Sequence, residues 1–185
     1  MKGKKEMGKT IEFEKNDYRL KKVRFCISAW SKNDALSIRV KSFPIKLENG
    51  TMIVTDGNRL HIAKGFPDKP DGFYKVVKNT EVLVVLKELD LEETENKRFP
   101  DIDSVLPDKS KDPIWNGIKV NGLSYASKCY TKIVRKMSDN TTINFEYLKD
   151  VLSSEVYFNI SQYREEGPII FENDNCFALI MPMYI

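Results

Sequence analysis

No apolar run in this 185-residue chain approaches the length of a membrane span, so no membrane partner is expected. Cysteine is scarce. Cys26, Cys129 and Cys176 stand alone, and an odd, unpaired set argues against a disulfide framework or a zinc site. Each lies in an apolar-patterned segment, which predicts buried free thiols and a reducing, cytoplasmic setting. Histidine is scarcer still: His61 is the single one and falls in a strand pattern. A structural role there outweighs a catalytic one. No nucleophile elbow, phosphate-cradling loop or metal-ligand spacing occurs. Asp101 and Asp103 sit in a connector, and Glu165-Glu166 reads as a turn. The expectation is a protein that is not an enzyme and needs no cofactor. Charge of one sign is not in large excess either. The net charge is +3, which by itself does not imply nucleic acid.

The distribution of charge is uneven. Residues 1–24 are basic, and KELDLEETE at 87–95 is acidic. The opening MKGKKEMGKT has no apolar stretch behind it, so it reads as a loose basic tail or a DNA-touching arm instead of a secretory signal. The other end is apolar from Cys176 through Met181-Pro182-Met183-Tyr184-Ile185. Termini usually fray and are polar, so this one suggests a strand packed on the body, with flexible thioethers suited to varied partners.

Between the ends, the patterns predict an α+β fold of antiparallel sheets with helices packed on one face. TIEFE at 10–14 alternates as a strand. Asn16 or Asp17 is placed to cap a helix whose buried face carries Leu20, Val23, Ile27 and Trp30. Lys21, Lys22 and Arg24 lie off that face. Residues 36–47 and 51–64 read as a hairpin about Glu48-Asn49-Gly50, broken at Asp56-Gly57. Residues 72–78 form another strand, while EVLVVLKEL at 81–89 fits helix or strand. Residues 90–117, with Pro100, Pro107 and Pro113, read as a connector laid on the surface. A second helix spans 123–137, with Leu123, Ala126, Tyr130, Ile133 and Met137 inward and Lys128, Lys132, Arg135 and Lys136 outward. Asn144 is a candidate cap for FEYLKDVLSS. EVYFNIS, PIIFEN and CFALIMPMYI then read as strands separated by turns at Glu166-Gly167 and Asn173-Asp174.

Three segments and the ending together resemble the bacterial DNA sliding clamps, the beta subunits of DNA polymerase III. VTDGNRL, Val54 to Leu60, is similar to a clamp TDGHRL with Asn58 in place of His. KRFPDIDSVLP, Lys97 to Pro107, is similar to the clamp linker RFPDYRRVLP. Phe99, Pro100, Asp101, Val105, Leu106 and Pro107 match it, and Ser104 departs. INFEYLKDVL, Ile143 to Leu152, resembles the clamp helix FNVSYVLDVL at Asn144, Tyr147, Asp150, Val151 and Leu152. The strand closing in MPM ends both, with Tyr184 where clamps usually have Arg. Bacterial clamps have three domains, and the first has no counterpart here. The resemblance implies a reduced clamp with an N-terminal lobe at 1–95, a linker at 96–117 and a C-terminal lobe at 118–185; one clamp domain with a long insertion stays open.

It further implies a processivity factor that binds double-stranded DNA without reading sequence and docks short peptides of a DNA polymerase or other replication protein, with self-association as a homo-oligomer. Carried over by position, the peptide groove comprises Thr55, Gly57, Arg59, Leu60, Pro100, Val105, Leu179, Met181, Pro182 and Met183. The DNA-facing residues are Lys21, Lys22, Arg24, Lys128, Lys132, Arg135 and Lys136. An alternative is a non-encircling interaction module or decoy that binds clamp-binding peptides. A nucleic-acid enzyme on a degenerate clamp fold is a third.

Overall fold

The computed structural model describes residues 9–30, 43–90, 99–153 and 157–185. In chain order the elements are β1 (Thr10–Glu14), α1 (Leu20–Ser28), β2 (Ile45–Glu48), β3 (Thr51–Thr55), β4 (Arg59–Lys64), β5 (Gly72–Asn79) and β6 (Leu83–Glu88). The second half contributes β7 (Trp115–Asn121), α2 (Ala126–Val134), β8 (Thr141–Thr142), α3 (Phe145–Leu152), β9 (Tyr157–Gln162), β10 (Ile169–Glu172), β11 (Cys176–Ile180) and β12 (Met183–Tyr184).

Ten strands join in one antiparallel sheet of order β1-β6-β5-β2-β3-β4-β11-β10-β9-β7. The halves meet where β4 pairs with β11, from Arg59 opposite Ile180 to Ala63 opposite Cys176. The β2–β3 turn is the expected one. Asn49 and Gly50 both have positive φ, 49° and 70°, as a type I′ hairpin requires.

Period-two alternation assigns each strand two faces. Met52, Val54, Ala63, Ala178, Ile180 and Phe171 face α1, α2 and α3 in one core that runs through both halves. Phe25 of α1 stacks on His61 of β4 at 4.6 Å and reaches Phe158 of β9 at 5.6 Å. The alternate residues Ile53, Leu60, Ile170 and Leu179 point the other way. There the connector lays Phe99, Ile102, Val105 and Leu106 over them. Among the described residues, α1, α2 and α3 lie on one side and the connector on the other, as expected of an α+β sheet with a single helical face.

Several expectations shift. Of the strand expected over 36–47, residues 45–47 lie in β2, residues 43 and 44 precede it, and residues 36–42 lie outside the described ones. Residues 83–88 are a strand, because β1 and β5 pair with both edges of β6. The α1 cap position is Arg19; the Asp17 carboxylate accepts the Arg19 N–H at 2.8 Å, a turn ahead of the helix and not a cap of it. Trp115 to Gly117 belong to β7 instead of the connector. The 123–137 helix opens as a 3-10 turn, Leu123–Tyr125, with Leu123 exposed, and Cys129 joins the buried stripe in its place. Asn144 does cap α3, accepting the Glu146 N–H at 2.9 Å. The last strand is not continuous: β11 stops at Ile180, and Met183-Tyr184 pair with β8 in a separate two-stranded sheet.

His61 is fully buried. Its Nδ1 lies 2.6 Å from the Phe25 carbonyl oxygen, which can only accept, so Nδ1 carries the proton. Burial pulls its pKa down to about 3, against the smaller opposing effect of that hydrogen bond. A base whose folded pKa lies below its unfolded value contributes stability that is fully present above pH ~6.5 and fades as pH falls toward ~3. Between pH 7 and 5 we expect a loss of about 2 kcal/mol in urea-derived unfolding free energy. His61→Leu should show a much flatter profile over the same window.

Candidate functional site

The site is organised by the turn between β3 and β4. Thr55 Oγ1 donates to the Arg59 carbonyl at 2.6 Å and accepts the Gly57 N–H at 3.1 Å. Asp56 Oδ1 accepts the N–H groups of Asn58 and Arg59 at 2.9 and 3.1 Å. Gly57 holds φ +90°, a conformation that side-chain-bearing residues resist. The closed turn leaves the Asn58 carbonyl pointing at the exit of β11, where it accepts the Met181 N–H at 2.9 Å. The Asp-Gly turn and the C-terminal segment are thereby held side by side.

On the connector face, Leu60, Leu179, Val105 and Met181 fall into one apolar cluster. These three distant stretches were expected to share a groove; they meet in one apolar cluster, in which Leu60 and Leu179 are buried beneath the connector. Pro100 and Pro182 are half-buried. Thr55 is buried and serves the turn through its hydroxyl. Met183 is carried onto β8 and is exposed.

Arg59 is the residue whose placement differs most from expectation. It neighbours Leu60 in sequence, so its side chain points to the opposite, helical face. It is 7% exposed. Its Nε donates to Asp56 Oδ2 at 2.9 Å, Nη1 donates to Asp150 on α3, and the guanidinium sits 4.2 Å from the centre of the Tyr147 ring. It is a clamp between the turn and α3, not a group displayed beside Leu60.

A cavity of about 230 Å³ opens beside the connector. Its apolar floor is Val105, Leu106, Tyr163 and Ile170, all members of the connector-face cluster. Asp108, Lys111 and Arg164 stand at its rim. Of these residues only Val105 was foreseen. Tyr163 and Arg164 follow β9 in what reads as a polar turn, and only pairing β9 with β10 sets them next to Ile170.

The basic residues divide. Lys22 Nζ donates to the Lys64 carbonyl at 3.0 Å, and Arg24 Nη2 to the Thr80 carbonyl at 2.6 Å, so both tie α1 to the body. Lys21 is exposed. Lys128, Lys132, Arg135 and Lys136 are all exposed on or just beyond α2, with Lys136 Nζ 5.8 Å from the centre of the Trp115 ring. Cations are therefore concentrated at α2. Among the described residues no group of three His, Cys, Asp or Glu side chains could hold a metal. The three thiols are buried, and burial raises Cys129 and Cys176 to about 11, which disfavours a thiolate nucleophile.

By sequence, the chain matches no protein-family model and no curated protein. By structure it matches the DNA polymerase sliding clamp of Bacillus subtilis over 98% of its length, with a TM-score of 0.58 at 15% identity. The chain has the fold of the bacterial DNA sliding clamps. It also matches the DNA polymerase III beta subunit of Borrelia burgdorferi, solved with a natural product, over 99% of its length (TM-score 0.58, 13% identity). A Pseudomonas aeruginosa clamp bound to griselimycin is matched over the full chain (TM-score 0.54, 14% identity). The match covers 66%, 66% and 68% of those three chains, so this chain spans about two thirds of a clamp.

Replacing Arg59 by Ala leaves Asp56 buried without its cation. We expect a loss of about 3 kcal/mol in denaturant unfolding. Asp150→Asn, on the solvent side of the same network, should cost about 1 kcal/mol or less.

Proposed function

We propose that this chain is a clamp-like DNA processivity factor without catalytic activity. It holds duplex DNA loosely against its helical face and docks short peptides of a DNA polymerase or other replication protein on its connector face. Several copies associate head to tail, since closed rings of identical subunits use heterologous contacts. The observation that carries this reading is the separation of chemistries across one sheet. Exposed cations crown α2 on one side, while Leu60, Val105, Leu179 and Met181 gather on the other.

Cations that meet phosphates without touching bases give affinity that is sequence-independent and falls steeply with salt. An apolar groove with an adaptable thioether suits a Leu or Phe anchor from an extended peptide. The groove in this proposal uses Thr55 and Gly57 as the turn that shapes it, Leu60, Val105, Leu179 and Met181 as its wall, and Pro100 and Pro182 as its margins. Arg59 supports the turn from behind.

A non-encircling module remains a second reading. The commitment of Lys22 and Arg24 to carbonyls of the body favours it, because this leaves α2 as the main charged element. Light scattering and DNA retention separate the two. A ring gives a stable oligomer kept on circular DNA and lost from linear DNA, whereas a module gives a monomer indifferent to topology.

Changing Lys128, Lys132, Arg135 and Lys136 together to Gln should lower duplex affinity about tenfold or more at moderate salt and flatten the log K against log salt slope by roughly 2–4. An unchanged slope in fluorescence anisotropy would reject α2 as the DNA-facing element. Met181→Ala should weaken binding of a Leu-Phe-anchored peptide about tenfold, with the thermal midpoint nearly unmoved.

A further inference from the structure

We infer that the two open edges of the sheet are complementary halves of one joint, so that β1 of one copy takes β7 of a second copy as its next strand. This rests on the reading that copies associate head to tail, and it names the strands, the register and the charges that join them.

Among the described residues, nothing pairs with the outer side of β1 or of β7. An open edge carries a row of unpaired N–H and C=O groups and is a template for another strand. The directions of the two edges fit. Every neighbouring pair in the ten-stranded sheet is antiparallel, so its first and last strands run opposite ways. A neighbour in the same orientation therefore sets β7 antiparallel to β1 and keeps the helical faces on one side.

The side chains fit as well. Ile11 and Phe13 of β1 and Ile118 and Val120 of β7 belong to the helix-side core. Glu12 and Glu14 on β1 and Lys119 on β7 alternate with them, so they face the other way and are exposed. Among the described residues none of these three has an ion-pair partner. Placing Glu12 opposite Lys119 sets Phe13 against Ile118 and Ile11 against Val120. Apolar residues then meet on one face and opposite charges meet on the other, the cross-strand arrangement that stabilises a sheet. Gly117, at φ +84°, lies where β7 shifts register against β9, which ends the regular stretch at Ile118. Beyond it, at the end where β1 leaves and β7 enters, Tyr18 and Ile114 are 77% and 56% exposed and extend the contact with apolar surface.

Charge also selects this joint over its symmetric alternatives. An antiparallel pair of two β1 edges brings Glu12 onto Glu12, and a pair of two β7 edges brings Lys119 onto Lys119. Like charges directly opposite are destabilising. Only the β1–β7 pairing joins acid to base. It is heterologous, so each copy keeps one edge of either kind for a further neighbour.

The test uses the full chain and light scattering over a concentration series at low salt. The unaltered chain should self-associate. The double variant Glu12→Lys with Glu14→Lys, and separately Lys119→Glu, should each weaken association about tenfold or more. Mixing the two variants in equal amounts should restore it, because each then offers the other an edge of opposite charge. All three side chains are exposed, and thermal melts by circular dichroism check that both variants keep the fold. If both variants associate like the unaltered chain, the β1–β7 assignment is overturned while association through another surface stands. If only one of them is weakened, the joint is a symmetric one and this assignment falls. Weakening that mixing does not relieve overturns the charge pairing. An unaltered chain that stays monomeric at every concentration ends this inference and the head-to-tail reading together.

Discussion

The pairing of β4 with β11 is the constraint on which the rest of the molecule depends. Five residues from each half align there, and their backbone hydrogen bonds turn two sets of strands into one sheet. Once joined, the sheet has two continuous faces. Helices from both halves bury a common core on one, and a single connector crosses both halves on the other. Without that seam, Leu60 and Leu179 would have no shared surface, and the connector would have nothing to cover.

The seam also explains why the β3–β4 turn is so heavily bonded. The turn ends the seam and fixes Met181 through the Asn58 carbonyl. Its own geometry is held from inside by the Thr55 hydroxyl and the Asp56 carboxylate, and from behind by Arg59 bridging to Asp150 on α3. A buried guanidinium is stable only when paired and stacked. Here two carboxylates and the Tyr147 ring do that work. The network links the β3–β4 turn on the seam to α3 on the helical face.

Charge follows a similar economy. A helix face dotted with Lys and Arg looks uniform along a chain, yet Lys22 and Arg24 reach back to carbonyls at Lys64 and Thr80. The α2 residues project outward. Periodicity locates a cation on a helix face but does not say what lies within reach of its flexible stem. In the same way, it marks Leu123 as inward, but the first turn opens as 3-10 and leaves that residue exposed, while Cys129, three residues after Ala126, is buried.

The sequence by itself determined what local chemistry controls. Asn49-Gly50 specifies its turn through positive φ, Asn144 caps α3 through a side-chain oxygen two residues from its partner, and Asp56-Gly57 ends a strand wherever that strand sits. The motifs around Asp56-Gly57, the proline-flanked connector and the terminal Met-Pro-Met also pointed to the clamp fold, because they lie in continuous stretches. Tertiary structure alone decided the helix partner of Arg59, the strand state of residues 83–88, the break after Ile180 and the cavity at Arg164. Each of these is set by a partner far away in the chain: Asp150 for Arg59, β1 for β6, β8 for β12, and the apposition of the connector with β9 and β10 for the cavity. A residue's neighbours along the backbone carry no record of which strand will come to lie beside it.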